Sequence, residues 1–201
     1  MNIRSAEEFA RAFEVSHETL ERLALYERLL RQWQKAMNLV APSTLPDVWL
    51  RHFADAAQLL RYAPAGARTW MDLGSGAGFP GLVIAILLAN QPESVVHLVE
   101  SNSRKCAFLA EVVRQTGARA FVHGARIGDV AGSPAHPMAD VITARALAPL
   151  DVLLGLAQPF FRDASTGLFL KGREADSEIA AARSRWVFEV ESYPSISSAQ
   201  G

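Results

Sequence analysis

The chain has 201 residues, half of them hydrophobic and 20% charged. That composition excludes disorder as the main state and suffices to bury about two-thirds of the unfolded surface of one domain. The formal net charge of −1 differs from that of a strongly basic nucleic-acid binder, but a local basic face stays open because steering depends on charge distribution. The longest apolar run, Leu82 to Ala89, is far short of the ~20 residues a membrane-spanning helix needs. The opening MNIRSAEEFARAF has no apolar signal region, and the single cysteine excludes a disulfide framework or a zinc site of several thiolates. The expectation is a cytoplasmic protein with no membrane partner.

Residues 1–66 read as a helical extension. Ser5-Ala-Glu-Glu8 has the capping-box pattern. Ser16 caps a longer helix in which Leu23, Tyr26, Leu30, Trp33, Met37 and Val40 recur at steps of three or four, the spacing of a core face. Arg28, Arg31, Lys35 and Asn38 recur on another face, with Asn38 placed as a C-cap. Ala41-Pro-Ser-Thr-Leu-Pro46 breaks the helix. A third helix is predicted from about Pro46 to Tyr62, with Trp49, Phe53, Ala56 and Leu60 in register, and Pro64-Ala-Gly66 ends it.

From Thr69 the rhythm changes to strand, turn, helix. Strands are predicted at Thr69–Leu73, Val95–Val99, Ala120–Val122, Ala139–Thr143 and Gly167–Leu170, with helices at Leu82–Ala89, Ser103–Thr116 and Leu150–Gln158. Alternating β and α elements with short connections predict an α/β fold, a mostly parallel sheet covered by helices.

The centre of the sequence is Asp72-Leu-Gly74-Ser-Gly76-Ala-Gly78-Phe-Pro-Gly81, between a predicted strand and a predicted helix. Glycines there let the backbone turn sharply and approach a ligand at the carboxyl edge of the first strand. The same residues fit the G-x-G-x-x-G dinucleotide fingerprint, and a ligand-free turn fits them too. Electrostatics separates the ligands. A pyrophosphate beside Asp72 is repelled, whereas the sulfonium and ammonium of S-adenosylmethionine suit an acidic neighbour. Glu100, at the end of the second strand, is placed to accept both ribose hydroxyls. S-adenosylmethionine is therefore favoured over NAD.

These residues resemble the RsmG (GidB) family, bacterial methyltransferases acting on a guanine N7 in 16S ribosomal RNA. The resemblance runs from about Ser16 to Lys171. It is carried by Trp33-Gln-Lys-Ala-Met-Asn-Leu39, Arg51-His-Phe-Ala-Asp55, the Asp72–Gly81 loop, Val99-Glu-Ser-Asn-Ser-Arg-Lys105 with Phe108-Leu109, Arg145-Ala-Leu-Ala148 and Leu170-Lys-Gly172. It implies a Rossmann-like class I S-adenosylmethionine-dependent methyltransferase over residues 67–201 behind the helical extension. It also implies cofactor contacts at Gly74, Phe79, Ile127, Gly128 and Arg145, beside those read at Asp72, Gly76 and Glu100. Asn38, His52, Arg126 and Lys171 match family positions around the cleft, as substrate-positioning groups. The implied partner is 16S ribosomal RNA or the small ribosomal subunit, and the implied state is a monomer. Two departures stand out. Gly128 replaces the family's usual acidic residue, and the last antiparallel strand of the family is expected to be missing before Gly201.

Guanine N7 carries an available lone pair in the neutral base, so attack on a sulfonium methyl needs positioning rather than a general base. No base motif is present. The chain reads Thr143-Ala-Arg-Ala-Leu147 where exocyclic amine methyltransferases carry N-P-P-Y, and Cys106 lies in a helix, the wrong place for a nucleophile. By residue type alone, His52 reads as an interior histidine. Arg126 and Arg145 read equally as surface ion-pair residues or as bidentate ligands for RNA phosphate or base. Arg28, Arg31 and Lys35 read as a solvated face or as phosphate contacts. A small-molecule methyltransferase on the same fold is the competing reading, and it predicts a closed pocket without a basic rim.

Overall fold

The computed structural model describes residues 3–197. Five strands, β1 (Thr69–Leu73), β2 (Val95–Val99), β3 (Ala120–His123), β4 (Ala139–Arg145) and β5 (Phe161–Leu170), form one parallel sheet in the order β3-β2-β1-β4-β5. β1 and β2 have the bounds the sequence predicts. β5 begins at Phe161 rather than Gly167, because Arg162, Asp163 and Ser165 disguise its start. There the pairing with β4 slips by a bulge between Ala139 and Val141, and Ala164 takes a left-handed φ of 67°.

The strand order reverses direction between β1 and β4, which makes a crevice at the carboxyl ends of these strands. Register brings the strand ends level: Leu73 pairs with Val99 and with Ala144, and Arg145 with Leu170. Gly74, Glu100, Arg145 and Lys171 therefore share one edge.

Side-chain alternation divides the core into two layers. Trp70, Val96, Leu98 and Val141 pack with the helical extension and with α4 (Gly81–Leu87) and α5 (Ser103–Thr116). Met71, Leu73, Val99, Ile142 and Ala144 pack on the opposite face against Val130 of α6 (Ile127–Ala131) and Leu153 and Ala157 of α7 (Leu150–Ala157). The extension comprises α1 (Ala6–Phe13), α2 (His17–Gln34) and a helical run containing α3 (Asp55–Ala57). Helix α8 (Ala175–Ala182), unanticipated from sequence, packs on α7.

Three expectations about the extension change. Ser5 caps α1 by accepting the Glu8 N–H at 3.2 Å, but the Glu8 carboxylate returns to the Arg4 N–H rather than to the cap itself. Helix α2, capped by Ser16, stops at Gln34, although the apolar period continues to Val40. The Gln34 amide turns the chain there: Oε1 accepts from Leu39 and Val40 N–H at 2.9 and 3.0 Å, and Nε2 donates to Val40 O at 2.9 Å. The third helix is not uniform. It runs as a wide π-type turn over Trp49–Ala54, then α3, then a tight 3-10 segment over Gln58–Arg61. Among the described residues the sheet contains no antiparallel strand, and residues 198–201, toward which the missing-strand expectation points, lie outside the description.

Candidate active site

The glycine loop leaves β1 and enters α4. Gly74, Gly76 and Gly78 all have left-handed φ, at 66°, 57° and 91°, which explains glycine at each position. Ser75 N–H bonds Val99 O at 2.9 Å, and Gly78 N–H bonds Ser75 O at 2.7 Å, so the turn is closed on itself and on β2. A Cβ on Gly74 meets Leu147 Cδ1 at 2.6 Å. Glycine at 74 thus also gives room to a neighbouring side chain.

Glu100 is where the sequence put it. Its Oε2 accepts the Gly76 N–H at 2.9 Å and its Oε1 the Asn102 N–H at 2.8 Å. Each carboxylate oxygen retains a second lone pair, so the group that shapes the loop can also accept hydroxyls. Asn102 in turn caps α5.

Asp72 sits beneath the loop, 1% exposed. Its Oδ1 accepts the Thr143 hydroxyl at 2.7 Å, and Oδ2 is buried without a hydrogen-bond partner among the described residues. Burial pushes this carboxyl up to about 6, against the hydrogen bond from Thr143. Gly81 is required at the same spot, because a Cβ there meets Asp72 Oδ2 at 2.7 Å and Leu98 Cδ2 at 2.5 Å. Asp72, read from the sequence as an acidic neighbour for a ligand, is a buried support of the loop.

Phe79, where the resemblance implies a cofactor contact, buries its ring. The ring is 4% exposed and turned into the extension. It stacks on Tyr26 (5.2 Å between centroids, 21°), meets Phe53 edge-on (5.3 Å, 81°) and lies 4.9 Å from His52. Only backbone at this position is left for a ligand. Arg145, half-buried at the end of β4, places its guanidinium carbon 5.1 Å over the Phe79 ring and donates from Nη1 to Arg51 O at 3.4 Å.

His52 is 7% exposed within the π-type turn. Its Nε2 bonds the Thr44 hydroxyl at 2.7 Å, and its Nδ1 is buried without a partner among the described residues. Burial, with Arg145 and Arg51 nearby, lowers its pKa to about 3, so the ring is neutral at physiological pH. Asn38 is exposed in the turn after α2, past the C-cap residue Lys35, and so is not the C-cap. Lys171, which the resemblance places among the substrate-positioning groups, is engaged within the chain: its Nζ donates to Ala148 O at 2.8 Å and pairs with Glu178 at 2.5 Å. Glu178 accepts the Leu150 N–H as well, which locks the start of α7.

Ile127 and Gly128 open α6, and Arg126 is the exposed residue before them. A Cβ on Gly128 has no neighbour within 4 Å. Arg51, Arg104 and Arg126 are exposed, and none forms an ion pair among the described residues. Arg31, read as part of a free basic face, is partly committed: it pairs with Glu27 at 2.8 Å and donates to Leu45 O at 3.1 Å. Cys106 donates to Glu100 O at 3.1 Å, and burial pushes its thiol pKa up, consistent with a structural residue. A surface depression lined by Phe13, Ala57, Leu60, Arg61 and Leu87 touches none of the site residues.

Sequence reading missed two supports of the loop. Thr143 appears in it as an ordinary strand residue, and Tyr26 only as a core position. The signal for Tyr26 was its hydroxyl, because a fully buried phenol needs a partner. The partner is Ala77 O, at 2.5 Å.

The chain is similar to known proteins in fold and in sequence. Rv0187 from MTB, solved with cofactor bound, superposes with a TM-score of 0.56 at 16% identity over 81% of this chain and 75% of that one. A putative O-methyltransferase from Klebsiella pneumoniae gives 0.55 at 15% identity over 89% and 80%. At such identities the likeness establishes the Rossmann-like class I methyltransferase fold. In sequence, the chain is 53% identical to ribosomal RNA small subunit methyltransferase G of Parvibaculum lavamentivorans, over 98% of this chain and 86% of that protein. It is 55% identical to the protein of that name from Rhodospirillum centenum, over 98% and 87%. The family model described as rRNA small subunit methyltransferase G matches residues 19–200. The chain belongs to the rRNA small subunit methyltransferase G family.

Proposed function

We propose that this protein transfers a methyl group from S-adenosylmethionine to N7 of a guanine in 16S ribosomal RNA of the small subunit. The observation that carries the reading is Glu100. It is 8% exposed, holds Gly76 through one oxygen and Asn102 through the other, and keeps lone pairs for a ribose at the topological switch point. The residues present fit this cofactor: a carboxylate for the hydroxyls, the left-handed glycine backbone beside it, and open space at Gly128 on the first turn of α6. Bound there, the cofactor supplies an electrophilic methyl group.

The protein's own residues then have two tasks. Gly74, Gly76, Glu100, Ile127 and Gly128 hold the cofactor. Arg145 and Arg126, with Asn38 at the edge, orient the target base and its phosphates. Charge-assisted bonds from arginine suit both phosphate and the guanine edge. No proton has to be removed from N7. A histidine held neutral at about 3 and bonded to Thr44 fits a scheme without a general base. The exposed Arg51, Arg104 and Arg126 favour RNA over a small molecule as substrate.

The test is incubation of labelled S-adenosylmethionine with 30S subunits, protein-free 16S RNA and a panel of small phenols and amines. The modified base is then mapped by reduction and aniline scission, which cleaves at N7-methylguanine. Label in RNA at one scissile guanine is the expected result. Label at another atom of the RNA overturns the N7 assignment, and label confined to small acceptors overturns the RNA substrate.

A further inference from the structure

The glycine loop is held from a third direction, by the helical extension. Tyr26 lies in the middle of α2, 0% exposed, and its hydroxyl donates to the carbonyl of Ala77, 51 residues away in the loop. Burial keeps the phenol pKa well above its ordinary value, so it remains a donor throughout the working range. The same ring stacks on Phe79 and meets Phe53 edge-on at 5.2 Å. A Cβ on Gly78 comes within 2.8 Å of the Tyr26 hydroxyl, so the loop backbone and the phenol are in direct contact.

The peptide unit between Ala77 and Gly78 is planar, so its carbonyl and N–H point in opposite directions. The N–H donates to Ser75 O at 2.7 Å, and the carbonyl accepts from Tyr26. Both ends of one plane are thereby fixed. One end is fixed within the loop, and the other by a residue outside the sheet domain. This plane lies between Gly76, whose N–H is on Glu100, and Gly78, which has the most positive φ of the loop. With the hydroxyl removed, the Ala77 carbonyl is left facing a buried aromatic ring, and the plane keeps only its anchor at Ser75 O, able to turn about ψ of Ala77 and φ of Gly78.

We infer that Tyr26 is a positioning residue for the cofactor: through Ala77 O, the helical extension sets the shape of the loop that binds S-adenosylmethionine. The inference rests on the cofactor assignment proposed above. It places the control of cofactor affinity partly in an element that touches no cofactor.

The decisive variant is Tyr26→Phe, which keeps the ring and its stacking and removes only the hydroxyl. Leu30→Ala, a buried position on the same helix, is the packing control. Calorimetry with S-adenosylmethionine and S-adenosylhomocysteine is expected to show binding about tenfold weaker for Tyr26→Phe, the loss of one buried hydrogen bond. Leu30→Ala lowers the melting temperature and leaves the affinity of the folded protein unchanged. In transfer assays on 30S subunits, the KM for cofactor rises in Tyr26→Phe while the KM for subunits does not.

A second measurement keeps the Tyr26 hydroxyl. The chain has three tyrosines, Tyr26, Tyr62 and Tyr193. With 3-fluorotyrosine incorporated, Tyr62→Phe and Tyr193→Phe assign the fluorine resonances. Added cofactor is expected to shift the Tyr26 resonance and neither of the others. Unchanged affinity in a folded Tyr26→Phe, or an unmoved Tyr26 resonance at saturating cofactor, overturns the inference alone. Failure of the wild-type chain to bind S-adenosylmethionine overturns the cofactor assignment and this inference with it.

Discussion

Thr143 of β4 donates its hydroxyl to Asp72 of β1 at 2.7 Å, directly beneath the glycine loop, and leaves the second Asp72 oxygen buried without a partner among the described residues. The two strands that flank the crevice are therefore joined by a half-satisfied carboxyl group. Such a group prefers to be protonated, and its value of about 6 stands above the ordinary 3.8.

The sign of the resulting pH dependence follows from linkage. Between pH 4 and 6 the folded state binds more protons at Asp72 than the unfolded chain does, so this contribution to stability is full below the unfolded pKa and is lost as pH rises through the folded one. Two pKa units correspond to about 3 kcal/mol. Unfolding free energies of the wild type and Asp72→Asn, measured in denaturant from pH 4 to 7, should yield a difference that shifts by about that amount in favour of the variant as pH rises. A difference constant across the range means that the carboxyl is not strained in the fold.

His52 gives the opposite sign and a kinetic consequence. Its folded value of about 3 lies below the ordinary 6.5, so its contribution to stability is present above pH 6.5 and falls away on acidification toward 3. It has no ionisation left near neutrality. Single-turnover methyl transfer is therefore expected to be flat from about pH 6.5 to 8.5, with His52→Gln lowering the rate without altering the profile. An ionisation in that window that vanishes in His52→Gln would restore a general base.

Two glycines in the site region should respond very differently to alanine. Gly78 combines φ 91° with a Cβ position 2.5 Å from Leu82 Cδ1 and 2.8 Å from the Tyr26 hydroxyl. Gly78→Ala is expected to destabilise by about 2–4 kcal/mol, from strain and overpacking together. Gly128 has open space where its Cβ would stand. Gly128→Ala and Gly128→Asp should each change stability by less than about 1 kcal/mol. Thermal melts of the three variants check the contrast, and equal losses at both positions would refute it.

Lys171→Ala should act on stability before it acts on substrate. Removing the amino group leaves Ala148 O without its donor and Glu178 with only the Leu150 N–H, at a cost of about 1–3 kcal/mol. The KM for 30S subunits should be unchanged in the folded fraction. A variant as stable as the parent with a raised subunit KM would return Lys171 to the substrate contacts.

The sheet was legible because its first two strands are short apolar runs closed by Gly74 and Glu100, and Gly117 stops the helix before β3, signals that need no tertiary information. Glu100 was legible for the same reason: it is the acid that ends β2. What escaped depended on contacts distant in sequence. The apolar period of α2 runs past Gln34, and only the Gln34 amide folding back on Leu39 and Val40 ends the helix. Phe79 sits inside the glycine loop, and nothing local announces that its ring is buried, because the aromatic residues that bury it come from residues 26 and 53. Lys171 looks free until Glu178, on a helix the sequence did not announce, is placed beside it.

The hydrogen bond from Tyr26 to Ala77 also bears on how the chain divides. A boundary at residue 66 separates helices from sheet along the sequence, but the loop after β1 draws its supports from residues 26, 99, 100 and 143. A fragment starting at 67 would present the Phe79 ring to water and leave the Ala77 carbonyl without its donor. The extension and the sheet are thus expected to unfold in one cooperative transition. Truncation at that boundary would yield a sheet without a formed loop, rather than a smaller enzyme.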